Sequence, residues 1–209
     1  MPREDYEKLL ALKYKSGKYE VRSYRYSKDY YYPFAKMVDT STLICEPNRC
    51  EKNMGIFMDI FPLDYVPERI NFESFSAKMS KRSKKVLRIG ISRENTDQKS
   101  ALHRRLARMM YYYAVHPFRK QMLKHEECKF IKYKKTDSDL LMSQFGAVTK
   151  EKCHSDKLWN NIIRLPFENI QVSILADYDM ILRGIYGNYM EYPPKDQQVN
   201  PHRLKVWQK

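Results

Sequence analysis

Between Gly55 and Tyr65 the chain reads Gly-Ile-Phe-Met-Asp-Ile-Phe-Pro-Leu-Asp-Tyr. A run this short, rich in Phe and Ile and stopped by Pro62, predicts a buried strand of the core sheet. One residue does not suit such a strand. Asp59 stands between Met58 and Ile60, and a buried carboxylate without a partner is costly. Strand alternation puts it on one face with Phe57 and Phe61. The pattern points to a carboxylate placed on a sheet to face a site, held by a cation, a metal or a set of donors. The competing reading is an Asp near a strand end that accepts from backbone N–H groups of the next turn. If its charge is uncompensated, neutralising Asp59 should leave the melting temperature unchanged or raise it. Asp64, after Pro62 and Leu63, reads as a turn residue.

The rest of the chain is organised by charge. The net charge is +14 over 209 residues, and it is unevenly spread. Residues 1–77 hold 12 Lys+Arg and 12 Asp+Glu, and residues 136–209 hold 9 of each. Residues 78–135 hold 18 Lys+Arg against Glu94, Asp97, Glu126 and Glu127, which is the whole excess. That predicts one domain over 1–209, with a sheet core in 1–77, a basic helical insertion in 78–135 and a return to the core in 136–209. A hydrophobic share of 43% is that of a globular chain and excludes a disordered one. No apolar run approaches the ~20 residues needed to span a bilayer, and Met1–Tyr6 holds no apolar signal segment. The expected location is the cytoplasm, with peripheral contact at the inner membrane face as a further expectation. Cys45, Cys50, Cys128 and Cys153 lack Cys-x-x-Cys spacing and read as free thiols. A zinc site from Cys45, Cys50 and His154 is an alternative.

Periodicity predicts a helix over 3–15, ended by Gly17, and a strand or extended loop over 19–26. A pair of strands around a turn at Asp39–Ser41 should follow, with Lys36 and Asp39 on a solvent-facing side or at a site. A polar loop covers 47–53. Helices are expected over 71–88, with Phe72, Phe75, Met79 and Val86 inward, and over 98–115. In the second, Leu102, Leu106, Met109, Met110 and Tyr113 form an apolar stripe expected to dock on the core. Arg104, Arg105 and Arg108 lie on another face. A short helix is expected over 137–145 and a hairpin over 162–174 with Asn169 near its turn. Asp177 is a candidate N-cap for a helix ended by Gly187, and 189–194 should be extended.

Several pieces stand in fixed order: Arg3-x-Asp5-Tyr6, Pro33-Phe34-Ala35-Lys36-x-x-Asp39-x-x-Thr42, Gly55-Ile56-x-x-Asp59-Ile60-Phe61-Pro62-Leu63-Asp64, Pro166-Phe167-Glu168, Tyr178-Asp179-x-x-Leu182-x-x-x-Tyr186-Gly187-x-Tyr189-Met190, and Pro193-Pro194 with His202 beyond. Together they resemble the LicD family, the lipopolysaccharide or teichoic-acid cholinephosphotransferases, from residue 3 to residue 202. The resemblance implies an α+β, nucleotidyltransferase-like fold, a mixed sheet with helices packed on it. It implies transfer of phosphocholine, or a similar phospho-substituent, from a CDP-choline-like donor to a sugar of a surface polysaccharide or its lipid-linked precursor. It also implies Mg²⁺ or another divalent cation held by strand carboxylates, with Asp59 among the ligands. Lys36 would face the donor phosphate, Asp39 would orient Lys36 or the sugar, and Tyr186, Tyr189 and His202 would shape the acceptor side. Arg3 is a further candidate substrate contact.

The family carries a Gly-rich turn and a Trp-Asp-Asp-Asp-Ile-Asp segment just ahead of its Met-Pro-Arg-x-Asp-Tyr, which here is Met1–Tyr6. The resemblance therefore implies an N-terminally shortened member, short of the paired acidic ligands and impaired in transfer. The alternative function is a non-catalytic binding protein for an anionic surface, using 78–135 and the interleaved Tyr111, Tyr112, Tyr113 and Phe118. An anionic membrane ranks first there. Nucleic acid ranks last, because no nucleic-acid motif is present.

Overall fold

The computed structural model describes residues 1–28, 30–46, 49–50, 54–89, 102–135, 138–143, 145, 149–198 and 205–209. Its first helix, α1 (Arg3–Leu12), starts behind Pro2, whose fixed φ suits a helix entry. It buries Tyr6 and Leu10. The expected stop at Gly17 falls earlier. Lys13 takes the left-handed conformation at φ 44° and ends the helix, while Gly17, at φ 54°, serves the next turn. That turn joins β1 (Lys15–Ser16) to β2 (Tyr19–Arg22).

β3 (Ala35–Asp39) lies between β2 and β6 (Phe57–Ile60), so one sheet runs β1-β2-β3-β6, antiparallel throughout. β4 (Thr42–Glu46) forms as expected beyond the Asp39–Ser41 turn, yet it does not pair with β3. It lies between β5 (Arg49–Cys50), inside the stretch expected to be loop, and β12 (Lys205–Gln208) at the far end of the chain. The turn is a corner between sheets. Asp39 N–H donates to the Ile56 carbonyl at 2.8 Å, and Thr42 Oγ1 accepts from Ile56 N–H at 2.8 Å. Gly55 is needed in this closure, because a Cβ there would stand 1.8 Å from the Asp39 carbonyl oxygen.

The helices α2 (Phe72–Ile89), α3 (Leu102–Val115) and α4 (Arg119–Phe130) follow. Met79, Val86 and Ile89 of α2 and Leu123 and Phe130 of α4 join Tyr24, Tyr30, Val38, Met54, Val66 and Met142 in the main core cluster. A second cluster unites Tyr6 and Leu10 of α1 with Val21 and Ala35 of the sheet. The helix expected over 137–145 is instead the strand β8 (Leu140–Met142), between β7 (Asp64–Tyr65) and β9 (His154–Ser155). An apolar run of three or four residues carries no period, and pairing on both sides decided it. The hairpin β10 (Ile162–Phe167) and β11 (Ile170–Leu175) turns through Glu168 at φ 52°. α5 (Tyr178–Tyr186) ends at Gly187, φ 67°. Asp177 stands at its N-cap but makes no capping bond. The architecture is α+β. No helix among the described residues is long and apolar enough to cross a membrane.

Ion pairs cross these elements in two groups among the described residues. Glu126, buried on α4, accepts from Lys85 Nζ at 2.6 Å and Lys129 Nζ at 2.9 Å. Burial pushes its carboxyl up, but the two ammonium groups outweigh this and hold it below the ordinary 4.5. The Arg25 guanidinium likewise holds Glu7 low. Both carboxylates bind protons less readily folded than unfolded, so their stabilisation is complete above about pH 4.5 and disappears as pH falls through the folded values. Thermal unfolding from pH 7 to pH 3 should show a flat plateau and then an acid limb. Glu126→Gln should flatten that limb, and an unchanged limb would exclude Glu126 as a source.

Candidate active site on the β3–β6 sheet edge

The expected buried strand around Asp59 is an edge strand. Among the described residues β6 has one hydrogen-bonded neighbour in its sheet, β3, and Met58 is 61% exposed. Pro62 and the short run of Phe57–Ile60 suit an edge, and the Phe and Ile content does not distinguish an edge from a centre. Asp59 is accordingly not a buried carboxylate without a partner. It lies directly across from Lys36 in the β3–β6 register, and Lys36 Nζ donates to Asp59 Oδ1.

The burial falls on the other member of the pair. Lys36 is only 3% exposed, against 33% for the Asp59 side chain, so the solvent-facing alternative for Lys36 is overturned. Its ammonium sits over three aromatic rings, 3.4 Å from the centroid of Phe57, 4.7 Å from Tyr32 and 5.3 Å from Phe34. Tyr32 and Phe34, just ahead of β3, bring their rings to this ammonium, and Phe57 shares a face of β6 with Asp59. The cage extends inward, with Phe34 4.4 Å from Phe61 and 5.7 Å from Phe145. Ring faces attract a cation, and the Asp59 carboxylate offsets the desolvation of the ammonium. The aromatic run Tyr30-Tyr31-Tyr32-Pro33-Phe34 just ahead of Lys36 was the available signal for this cage.

The other candidates stand elsewhere. Asp39 is three residues from Lys36 on the same strand and so on its opposite face. It accepts from Ser41 N–H at 3.0 Å and Ser41 Oγ at 2.6 Å and pairs with Lys18 at 2.9 Å. These bonds, the Ser41 hydroxyl first, hold its carboxyl below the usual range. Arg3 forks onto Asp64, Nε to Oδ1 at 2.7 Å and Nη2 to Oδ2 at 2.8 Å, and reaches Glu127 at 2.9 Å. Asp64, read from sequence as a turn residue, is 2% exposed on β7, because Arg3 compensates its charge there. Tyr186 is exposed at the end of α5. The Tyr189 hydroxyl donates to Asp179 Oδ1 at 2.8 Å, and Arg183 bonds the same carboxylate. α5 packs on the Lys150–Lys152 turn. His202 lies outside the described residues.

Among the described residues the donors required for a divalent cation are not assembled. Among the described residues no three His, Cys, Asp or Glu side chains converge, and Asp59 holds an ammonium. One carboxylate so engaged does not fit Mg²⁺, which needs several oxygen ligands. Among the described residues the sheet offers here a fixed cation with its carboxylate, at a strand paired on one side.

No protein-family model matches the chain, and no solved structure matches it. Among curated proteins it is similar to lipopolysaccharide cholinephosphotransferase LicD of Haemophilus influenzae, at 26% identity over 181 residues. That alignment takes in 82% of this chain and 63% of the relative, so the chain spans less than two thirds of the length of the protein it resembles.

Proposed function

We propose that this chain is a phosphotransferase of the LicD type. It would move phosphocholine, or a similar phospho-substituent, from a CDP-linked donor to a sugar of a cell-surface polysaccharide or its precursor, on a nucleotidyltransferase-like sheet. The observation that carries this reading is the Lys36–Asp59 pair at the open edge of β6, in a chain similar to LicD over most of its length. A caged ammonium suits a phosphate whose charge rises during transfer, because its position needs no reorganisation. Asp59, partly open to solvent beside it, suits the proton of an incoming sugar hydroxyl.

The pairing of the first residues supports a further part of the proposal. Met1–Arg3 run parallel to Phe61–Leu63, through Leu63 N–H to the Met1 carbonyl at 2.8 Å and Arg3 N–H to the Leu63 carbonyl at 3.1 Å. A segment joined ahead of Met1 and continuing that direction would run along β6 past Asp59. Acidic residues on such a segment would complete a carboxylate group that residues 1–209 lack among those described.

Binding and transfer test this separately. Residues 1–209 titrated with Mg²⁺ and CDP-choline in a calorimeter should give little or no saturable heat. Tight stoichiometric binding would refute the incomplete centre. With an acidic segment joined upstream, label from the choline phosphate of the donor should pass to a lipopolysaccharide acceptor. No transfer by that protein under any divalent cation would refute the reaction.

A further inference from the structure

The expected seat of α3 on the core is overturned, and its orientation is the observation with most left to explain. Leu102, Leu106, Met109, Met110 and Tyr113 do form one stripe, but it faces outward. Leu102 is 71% and Met110 73% exposed, and no residue of α3 is fully buried. The half-buried residues are Arg108, Tyr112 and Val115, which recur at i, i+4 and i+7 on a different face. Val115 packs on the main core cluster, and Tyr112 lies 4.6 Å from the Arg119 guanidinium. The helix is thus seated on its Arg-Tyr side and turns its most apolar side to solvent. Phe118, in the turn to α4, is exposed as well.

We infer that α3 docks on an anionic membrane surface, laying the stripe among the lipid chains at the headgroup boundary. Apolar residues displayed together mark an interaction surface, and the charge around them selects the partner. The segment 78–135 carries the whole +14 excess. Its two described acidic residues are already engaged, Glu126 by Lys85 and Lys129, and Glu127 by Arg3 and Arg25. A second copy of the chain would bring the same positive field against itself. A nucleic acid would satisfy the cations but leave five apolar side chains facing phosphate or water. A bilayer rich in anionic headgroups answers both halves of the surface, with cations at the headgroups and the Leu, Met and Tyr113 side chains of the stripe at the lipid boundary. Membrane docking stands apart from phosphotransfer and would hold if the chain transferred nothing.

Sedimentation with vesicles of phosphatidylcholine containing phosphatidylglycerol tests this. The full chain should bind them, bind pure phosphatidylcholine far less, and keep part of its binding as salt is raised. The double variant Leu106→Gln/Met110→Gln, with both sites already exposed, should keep its circular dichroism and lose roughly ten-fold or more in partitioning. Independently, Met110→Trp should be quenched by brominated lipid beyond the background of Trp159 and Trp207. Unchanged binding by the double variant, or no added quenching, would overturn the inference. So would a dimer in the ultracentrifuge that the double variant abolishes, or duplex DNA binding with the same dependence on Leu106 and Met110.

Discussion

In a form of this protein that carries out transfer, Asp59→Asn should lower the rate by about two to three orders of magnitude, the size usual for losing one fixed electrostatic group at a phosphoryl or acyl centre. Asparagine keeps the shape of the side chain. It removes the charge that holds the Lys36 ammonium over Phe57, Tyr32 and Phe34, and it removes the proton acceptor at the open edge. Stability should fall as well, in contrast to the rise expected for an uncompensated carboxylate. The buried member of the pair is the lysine, and Asp59→Asn removes the carboxylate that its ammonium bonds. The loss should be about 1–2 kcal/mol, below the roughly 3–5 kcal/mol of a fully buried pair, because the Asp59 side chain is 33% exposed. Lys36→Met/Asp59→Asn separates the two effects. With both charges gone the melting temperature should recover, since an apolar pair often replaces a buried ion pair without cost, while transfer stays low. Near-parental transfer in Asp59→Asn, with earlier melting, would make the pair structural and remove it from the chemistry.

The reversal at Asp59 shows what sequence pattern can and cannot resolve. The strand was legible because Pro62 and the Phe-Ile run mark its length, and α2 and the 162–175 hairpin were legible from their periods. Which side of an element meets the core is set by its neighbours. β6 and a central strand share a composition, but among the described residues β6 pairs on one side only. α3 and a core helix share an apolar stripe, but here Val115 and Tyr112 take the inner position. Long-range pairing was equally hidden. Nothing local to Lys205–Gln208 says that it adds a strand to β4, more than 150 residues earlier in the chain. The Lys36–Asp59 pair was half legible: both residues were singled out, and their contact needed the β3–β6 register.

Arg3→Ala should destabilise the fold more than Asp59→Asn does, by roughly 3–5 kcal/mol, which lowers the melting temperature by about 10 °C or more for a domain of this size. Asp64 is 2% and Glu127 6% exposed, and Arg3 bonds both. Removing it strands a carboxylate on β7 and weakens another on α4. Glu127 keeps Arg25 and the Tyr24 hydroxyl, so the larger share of the loss comes from Asp64. Arg3→Lys should fall between, because an ammonium cannot fork onto both carboxylate oxygens. Arg3→Ala/Asp64→Asn should recover part of the loss, since the second change removes the stranded charge. The same fork fixes where Arg3 lies along the sheet. It ties α1 to β7, and the parallel pairing of Met1–Arg3 with Phe61–Leu63 lies in between, next to the open edge of β6. Loosening Arg3 should therefore disturb any segment running along that edge, and transfer should fall with stability. If Arg3→Ala instead melts like the parent and only raises KM for donor or acceptor, Arg3 contacts substrate and the network does not hold α1 to the sheet.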